Sequence, residues 1–385
     1  MADTVAQQVM TLSFNDIKDE MMAHNPTVRA NLDRIADAAQ SLDDSIDLLN
    51  QAQTGFQASV NSLIAFFSVP GKTGIRLGAN GFVDGNGNPV VNPASPVIAN
   101  PPTQDNITAT LDYLNFNLLN LYQTQLSNIN AQKSTLTTQR DNLWKSVLQT
   151  DMGNDQLVWG TQQLFLGYKA LELQLQALQD NRTQLQDQLN VMKVRETLGM
   201  VTATDRRTLE LQLNDLEATL KSLNDALTGL KGNLNLFLGQ EYDSPLTVQD
   251  ATPPDSAKLT AMDYDLDLAT AKNNSLAARL QEETDKRDTE IRQVRADFDK
   301  AFKDVQTKQD DLAREKMKLA NEQVKWNQLQ LKYQLGIVSL LELNSGQTTL
   351  NTQVRKVKTA GSDLLKSYTA YDWLLQGLAV STDQG

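Results

Sequence analysis

The residue types that could do chemistry are few here and widely scattered. The chain has 385 residues, one histidine and no cysteine. His24 stands beside Asn25 and Pro26 at the end of a helical stretch. A metal centre or an acid–base pair would need a second histidine or a carboxylate cluster at ligand spacing, and neither accompanies it. Asp43–Asp44, Glu282–Glu283 and Asp310–Asp311 read as solvated helix faces. The stretch GANGFVDGNGN (78–88) lacks the Lys-Ser/Thr ending of a phosphate loop and the acidic twelfth ligand of a calcium loop, so it reads as turns. With no cysteine there is no disulfide, thiolate metal site or sulfur nucleophile. Neither an enzyme nor a cofactor is expected.

The formal net charge is −12 and the basic residues form no patch, which argues against nucleic acid and anionic membrane surfaces as partners. No apolar run approaches the roughly 20 residues of a spanning helix. MADTVAQQVMTLSF lacks a charged region followed by an apolar core, so no leader is visible. Two localisations stay open: a cytoplasmic protein, or an exported chain whose leader has been removed.

Apolar residues recur at spacings of four and three over long distances, the mark of coiled-coil seams. One series runs Val28, Leu32, Ile35, Ala39, Leu42, Ile46, Leu49, Phe56, Val60, Leu63 and Phe67. Another runs from Leu209 through Leu213, Leu220, Leu227 and Leu234 to Phe237, and a third from Leu350 through Val357, Leu364 and Tyr371 to Leu378. The four tryptophans, Trp144, Trp159, Trp326 and Trp373, are most simply packing residues, Trp326 on the same seven-residue stripe as Leu319 and Tyr333. The expected fold class is all-α, built of long antiparallel coiled-coil helices.

Interruptions divide the chain. Residues 68–103 are rich in Gly, Pro and Asn and hold at most short hairpins, for instance around GFVDGNGNPVV. DMGND (151–155) reads as a kink or a short break, and 239–255 as a linker beyond a helix closed by Gly239. From Ser256 to Leu335 no turn signal is seen, which predicts one helix of roughly 110–120 Å.

LGMVTATD (198–205) and LGIVSLLE (335–342) are tight turns between antiparallel helices. Gly199 and Gly336 close the outgoing helices. Thr202 with Asp205, and Ser339 with Glu342, form capping boxes for the returning ones. The seams superpose 137 residues apart, so the chain is an internal duplication: 1–240 as first repeat carrying the 68–103 insertion, 241–257 as linker, 258–385 as second repeat. Farther upstream, AHNPTVRANL and AKNNSLAARL align at an offset of 248, pairing Asn25 with Asn273.

These motifs, in this order, resemble the TolC-like outer-membrane efflux family. The residues carrying the resemblance are the turns VRETLGMVTATD and LKYQLGIVSLLE, the helix ends LNLFLGQEYDSPL and YDWLLQGLAV, and the opening LSFNDIKDEMMAHNP. The resemblance covers nearly the whole chain except 68–103. It implies a cell-envelope efflux or export component and a homotrimer. It also implies a periplasmic adaptor meeting the hairpin tips at Gly199, Met200, Val201, Gly336, Ile337 and Val338. The membrane strand pair that such proteins insert in each half has no counterpart here, which implies a relative that does not cross the outer membrane by itself. The alternative is a structural or surface coiled-coil protein without transport activity.

Overall fold

The computed structural model describes residues 9–67, 76–78, 81–83, 88 and 104–380. The elements run β1 (Met10–Leu12), α1 (Ile17–His24), α2 (Pro26–Phe67), β2 (Arg76–Gly78), β3 (Gly81–Val83), α3 (Gln104–Thr197) and α4 (Ala203–Phe237). Then follow β4 (Leu246–Val248), α5 (Ser256–Thr260), α6 (Tyr264–Asn274), α7 (Leu276–Arg279), α8 (Thr284–Gln334) and α9 (Leu340–Gln376). Helix dominates because Leu, Gln, Lys, Glu and Ala fill the seams and little Gly or Pro interrupts them. The strands have three residues each and close no barrel among the described residues.

Two compact units cut across the repeats: residues 32–147, and residues 1–31 together with 148–385. The smaller unit pairs the body of α2 with the first half of α3. Phe56 stacks on Tyr122 at 5.6 Å, Val60 and Phe116 are buried, and Lys133 bonds to Gln53. Its hairpin is β2–β3, joined at Gly78–Gly81, one strand earlier than the GFVDGNGNPVV reading. The remainder of that stretch lies outside the described residues, apart from Asn88.

The larger unit carries two cores. One gathers Leu12, Phe14, Ile17 and Met21 with Val158, Phe165, Leu234, Leu246, Trp373 and Leu378. Here the linker is more than a connection. Its strand β4 pairs in parallel with β1, Met10 opposite Leu246 and Leu12 opposite Val248. The other core lies along α6, α8 and α9, where Phe298, Val305, Leu312, Leu364 and Tyr371 are buried. Phe298, Phe302, Tyr264 and Tyr371 form a ring cluster with centroids 5.3–6.2 Å apart.

Two boundary expectations are corrected. α3 runs through DMGND without a break. Asn154 there is almost fully buried and accepts from Asn31 Nδ2 at 3.0 Å, with Leu148 and Val158 buried on either side. A helical glycine costs only about 1 kcal/mol, which such packing overrides. The single helix expected over 256–335 is instead four. The overlooked signals were N-caps: Asp255 accepts from Lys258 N, Asp263 from Leu266 N and Ser275 from Ala278 N. Of the tryptophans, Trp373 is buried and Trp144 is 55% exposed.

Candidate functional site

The hairpin tips follow from the local sequence. At the first, Gly199 has φ +68°, its N–H donates to Glu196 O at 2.9 Å, and Met200 N–H donates to Arg195 O at 2.9 Å. At the second, Gly336 has φ +70°, with the same pair of bonds to Tyr333 O at 3.0 Å and Lys332 O at 2.9 Å. Each is a Schellman closure, which satisfies the terminal carbonyls and requires the left-handed region that glycine alone enters freely. Both capping boxes are formed. Thr202 N donates to Asp205 and Asp205 N to Thr202 Oγ1, with the same reciprocal bonds between Ser339 and Glu342. Hydrogen bonds, first from the cap backbone and then from the cap hydroxyl, hold both carboxyls below their ordinary range.

Contacts between α3 and α9 bring the tips level. Asp180 receives Arg355 at 2.5 Å and Asn351 at 3.2 Å, while Asp187 receives Asn344 at 2.7 Å. Asp180 lies 19 positions before Gly199, and Arg355 lies 19 after Gly336. Gln162, which accepts from Trp373 Nε1 at 2.9 Å, and Trp373 keep the same register at 37 positions each. Antiparallel helices with matched counts put both turns at one end.

What the tips present is apolar. Met200 and Ile337 are 69% and 66% exposed, and Val201 and Val338 are half-buried. Sequence reasoning missed Leu198 and Leu335, each 66% exposed immediately before its glycine. Their signal was repetition at the same offset of 137. Beside the first tip, Arg206 joins Glu196 at 2.7 Å and Glu210.

The polar contacts of α3 and α9 were also missed, because Asp180 and Asp187 lie more than 150 residues from their partners on α9, and Asp250 beyond β4 bridges Lys169 and Lys358 from 81 and 108 residues away. Lys169 pairs with Glu172 and Asp250, and Asp250 with Lys358 at 3.0 Å. Burial alone would lower the Lys169 ammonium, but its carboxylate partners outweigh that and hold it above its ordinary value.

At the opposite ends of the hairpins, Gly239 (φ +72°) and Gly377 (φ +102°) close α4 and α9 with the same double bond pattern. Asn25 there does two things: its Oδ1 caps α2 through Thr27 N and Val28 N, and its Nδ2 donates to Phe237 O at 2.7 Å. In the second half two residues share that work. Asn274 Nδ2 donates to Leu375 O at 2.7 Å and Ser275 caps α7. Structural equivalence therefore pairs Asn25 with Asn274 and Ser275, not with Asn273. His24 lies 3.7 Å from Glu20, and no group of three His, Cys, Asp or Glu side chains could hold a metal among the described residues.

Duplicated hairpins, paired tips and paired bases occur in the order the motifs imply. The described fold is an all-α module of duplicated long helical hairpins.

No family model matches the sequence, and no curated protein matches it. Among solved structures, the chain is similar to the outer membrane protein VceC from Vibrio cholerae at 10% identity and TM-score 0.49, covering 95% of this chain and 96% of that one. It is similar to a membrane protein from Pseudomonas aeruginosa at 11% identity and TM-score 0.46, covering 96% and 92%. It is also similar to CusC, at 12% identity and TM-score 0.43, covering 93% and 91%. Among the described residues no helix is long and apolar enough to cross a membrane.

Proposed function

We propose that this protein is a cell-envelope component of an efflux, export or related transport assembly, acting as a homo-oligomer that meets an adaptor-type partner through its hairpin tips. The observation that carries this reading is the pair of level tips exposing Leu198, Met200, Leu335 and Ile337. Four large apolar side chains at one end of a strongly acidic protein cost free energy in water unless a partner covers them. Each stays about two-thirds exposed, which supports contact with a partner over closure of the tips on each other.

Self-association rests on α8. Met317, Val324 and Leu331 are 64%, 55% and 57% exposed at a strict spacing of seven, on the helix whose other face packs on α9. A second apolar stripe on one helix seeks a second helix. The trimer is the assembly implied by the family resemblance.

The experiment is sedimentation of the full chain over a wide concentration range, followed by photo-cross-linking from Met200 and Ile337 in envelope extracts. Concentration-dependent trimers and one recurring tip-linked envelope protein are expected. A monomer at all concentrations, or tips that link to nothing, overturns the reading in favour of a structural coiled-coil protein without transport activity.

A further inference from the structure

A groove between α3 and α9 has the composition of a ligand site. Its volume is about 650 Å³, within the range of small-molecule pockets. One wall is apolar: Trp159, Leu166 and Leu173 on α3, closed by Val380. Gly160 and Gly167 lie on the same wall, and a Cβ added at either would meet nothing within 4 Å. Neither has positive φ. Both glycines are exposed, and since glycine weakens a helix, two with no backbone or steric need of their own leave space that the described residues do not fill.

The other wall brings two opposite charges. Asp363 and Lys366 on α9 both line the groove and are half-buried. Among the described residues neither has a hydrogen-bond or ion-pair partner, although they are three residues apart on one helix. Across from them the Gln163 amide nitrogen is buried with no acceptor. Half-buried charges and a buried amide left unpaired are costly, and a ligand carrying the complementary groups removes that cost.

We infer that this groove binds a zwitterionic amphiphile: an apolar chain against Trp159, Gly160, Leu166 and Gly167, an anionic group toward Lys366 and Gln163, and an ammonium toward Asp363. An apolar chain alone would leave both charges unpaired. A simple anion or cation would leave one unpaired and face repulsion from the group of its own sign.

The test is calorimetric titration of the full chain with dodecylphosphocholine below its micelle-forming concentration. Dodecyl maltoside serves as the uncharged control on the same chain, and glycerophosphocholine as the same charges without the chain. Saturable binding to one site is expected, about a hundredfold weaker for dodecyl maltoside and negligible for glycerophosphocholine, since the hydrogen-bonded pairing of Lys366 with the phosphate and the ion pair of Asp363 with the quaternary ammonium, which has no N–H to donate, each contribute about tenfold. Lys366→Met and Asp363→Asn should each weaken dodecylphosphocholine by about tenfold. Gly160→Leu should abolish binding while thermal melting stays unchanged or rises, because the added side chain occupies open space. Equal binding of the zwitterionic and uncharged amphiphiles would reduce the groove to an apolar cleft. Binding of glycerophosphocholine as tight as the amphiphile, or binding that survives Gly160→Leu in a folded protein, would equally overturn the inference.

Discussion

Among the described residues four glycines close helices with one backbone motif, yet the two at the tips and the two at the bases live in opposite surroundings. A Cβ placed on Gly199 or Gly336 would meet nothing within 4 Å. On Gly239 it would stand 2.2 Å from the carbonyl oxygen of His24, and on Gly377 2.1 Å from that of Asn274. The bases are wedged against the ends of α1 and α6, where Asn25 and Asn274 tie the neighbouring helix ends together. The tips are held only by their own turns. The same local code thus serves a lock at one end of the hairpins and an exposed apolar surface at the other.

Substitutions at the bases should break this comparison most severely. Gly377→Ala and Gly239→Ala combine positive φ with a clash against backbone that cannot rotate away, and should cost about 3–5 kcal/mol, measured by denaturant unfolding. A loss below that of the tip glycines would show that α1 and α6 yield easily and that the lock is not one.

At the tips the strain acts without the clash. Gly336→Val and Gly199→Val should each cost about 1–3 kcal/mol. If either equals the base substitutions, the two environments are not energetically different.

The contact surface is sharpened by Ile337→Asp and Met200→Asp. Stability should change by no more than about 0.5 kcal/mol, because exposed side chains contribute little to folding. Tip cross-linking to an envelope partner should disappear. Destabilisation as large as that of the glycine changes would mean that these residues close the tip.

A smaller effect follows from the capping boxes, which the tips have and the bases lack. Asp205 and Glu342 have ordinary values of 3.8 and 4.5 and are held lower in the folded state. Each therefore stabilises the fold above its ordinary value, and the contribution is lost as pH falls through the lowered one. Asp205→Asn and Glu342→Gln should speed amide exchange at the tips near neutral pH. That difference should vanish in acid below both lowered values, while the bases exchange alike in variant and parent.

Much of the local plan was legible in the sequence. Leu and Gln periodicity set the seams, and Gly199, Thr202, Asp205 and their counterparts 137 residues later set the tips, because caps and left-handed glycines act within a few residues. The break in 256–335 was legible too, in Asp255, Asp263 and Ser275, but those caps are short and sit inside a helix-favouring composition. DMGND could not be read correctly from its own residues, since the burial of Asn154 and its bond to Asn31 decide it.

What the sequence by itself determined is the helical repeat and where each hairpin turns, because both depend on neighbours along the chain. Tertiary structure alone decided the rest. It paired β1 with β4 across more than 200 residues. It split the capping and tethering roles of Asn25 between Asn274 and Ser275. It also set Asp180 against Arg355 so that the two tips stand level. Each of these joins residues far apart in the chain, and no local propensity records which partner the packing will supply.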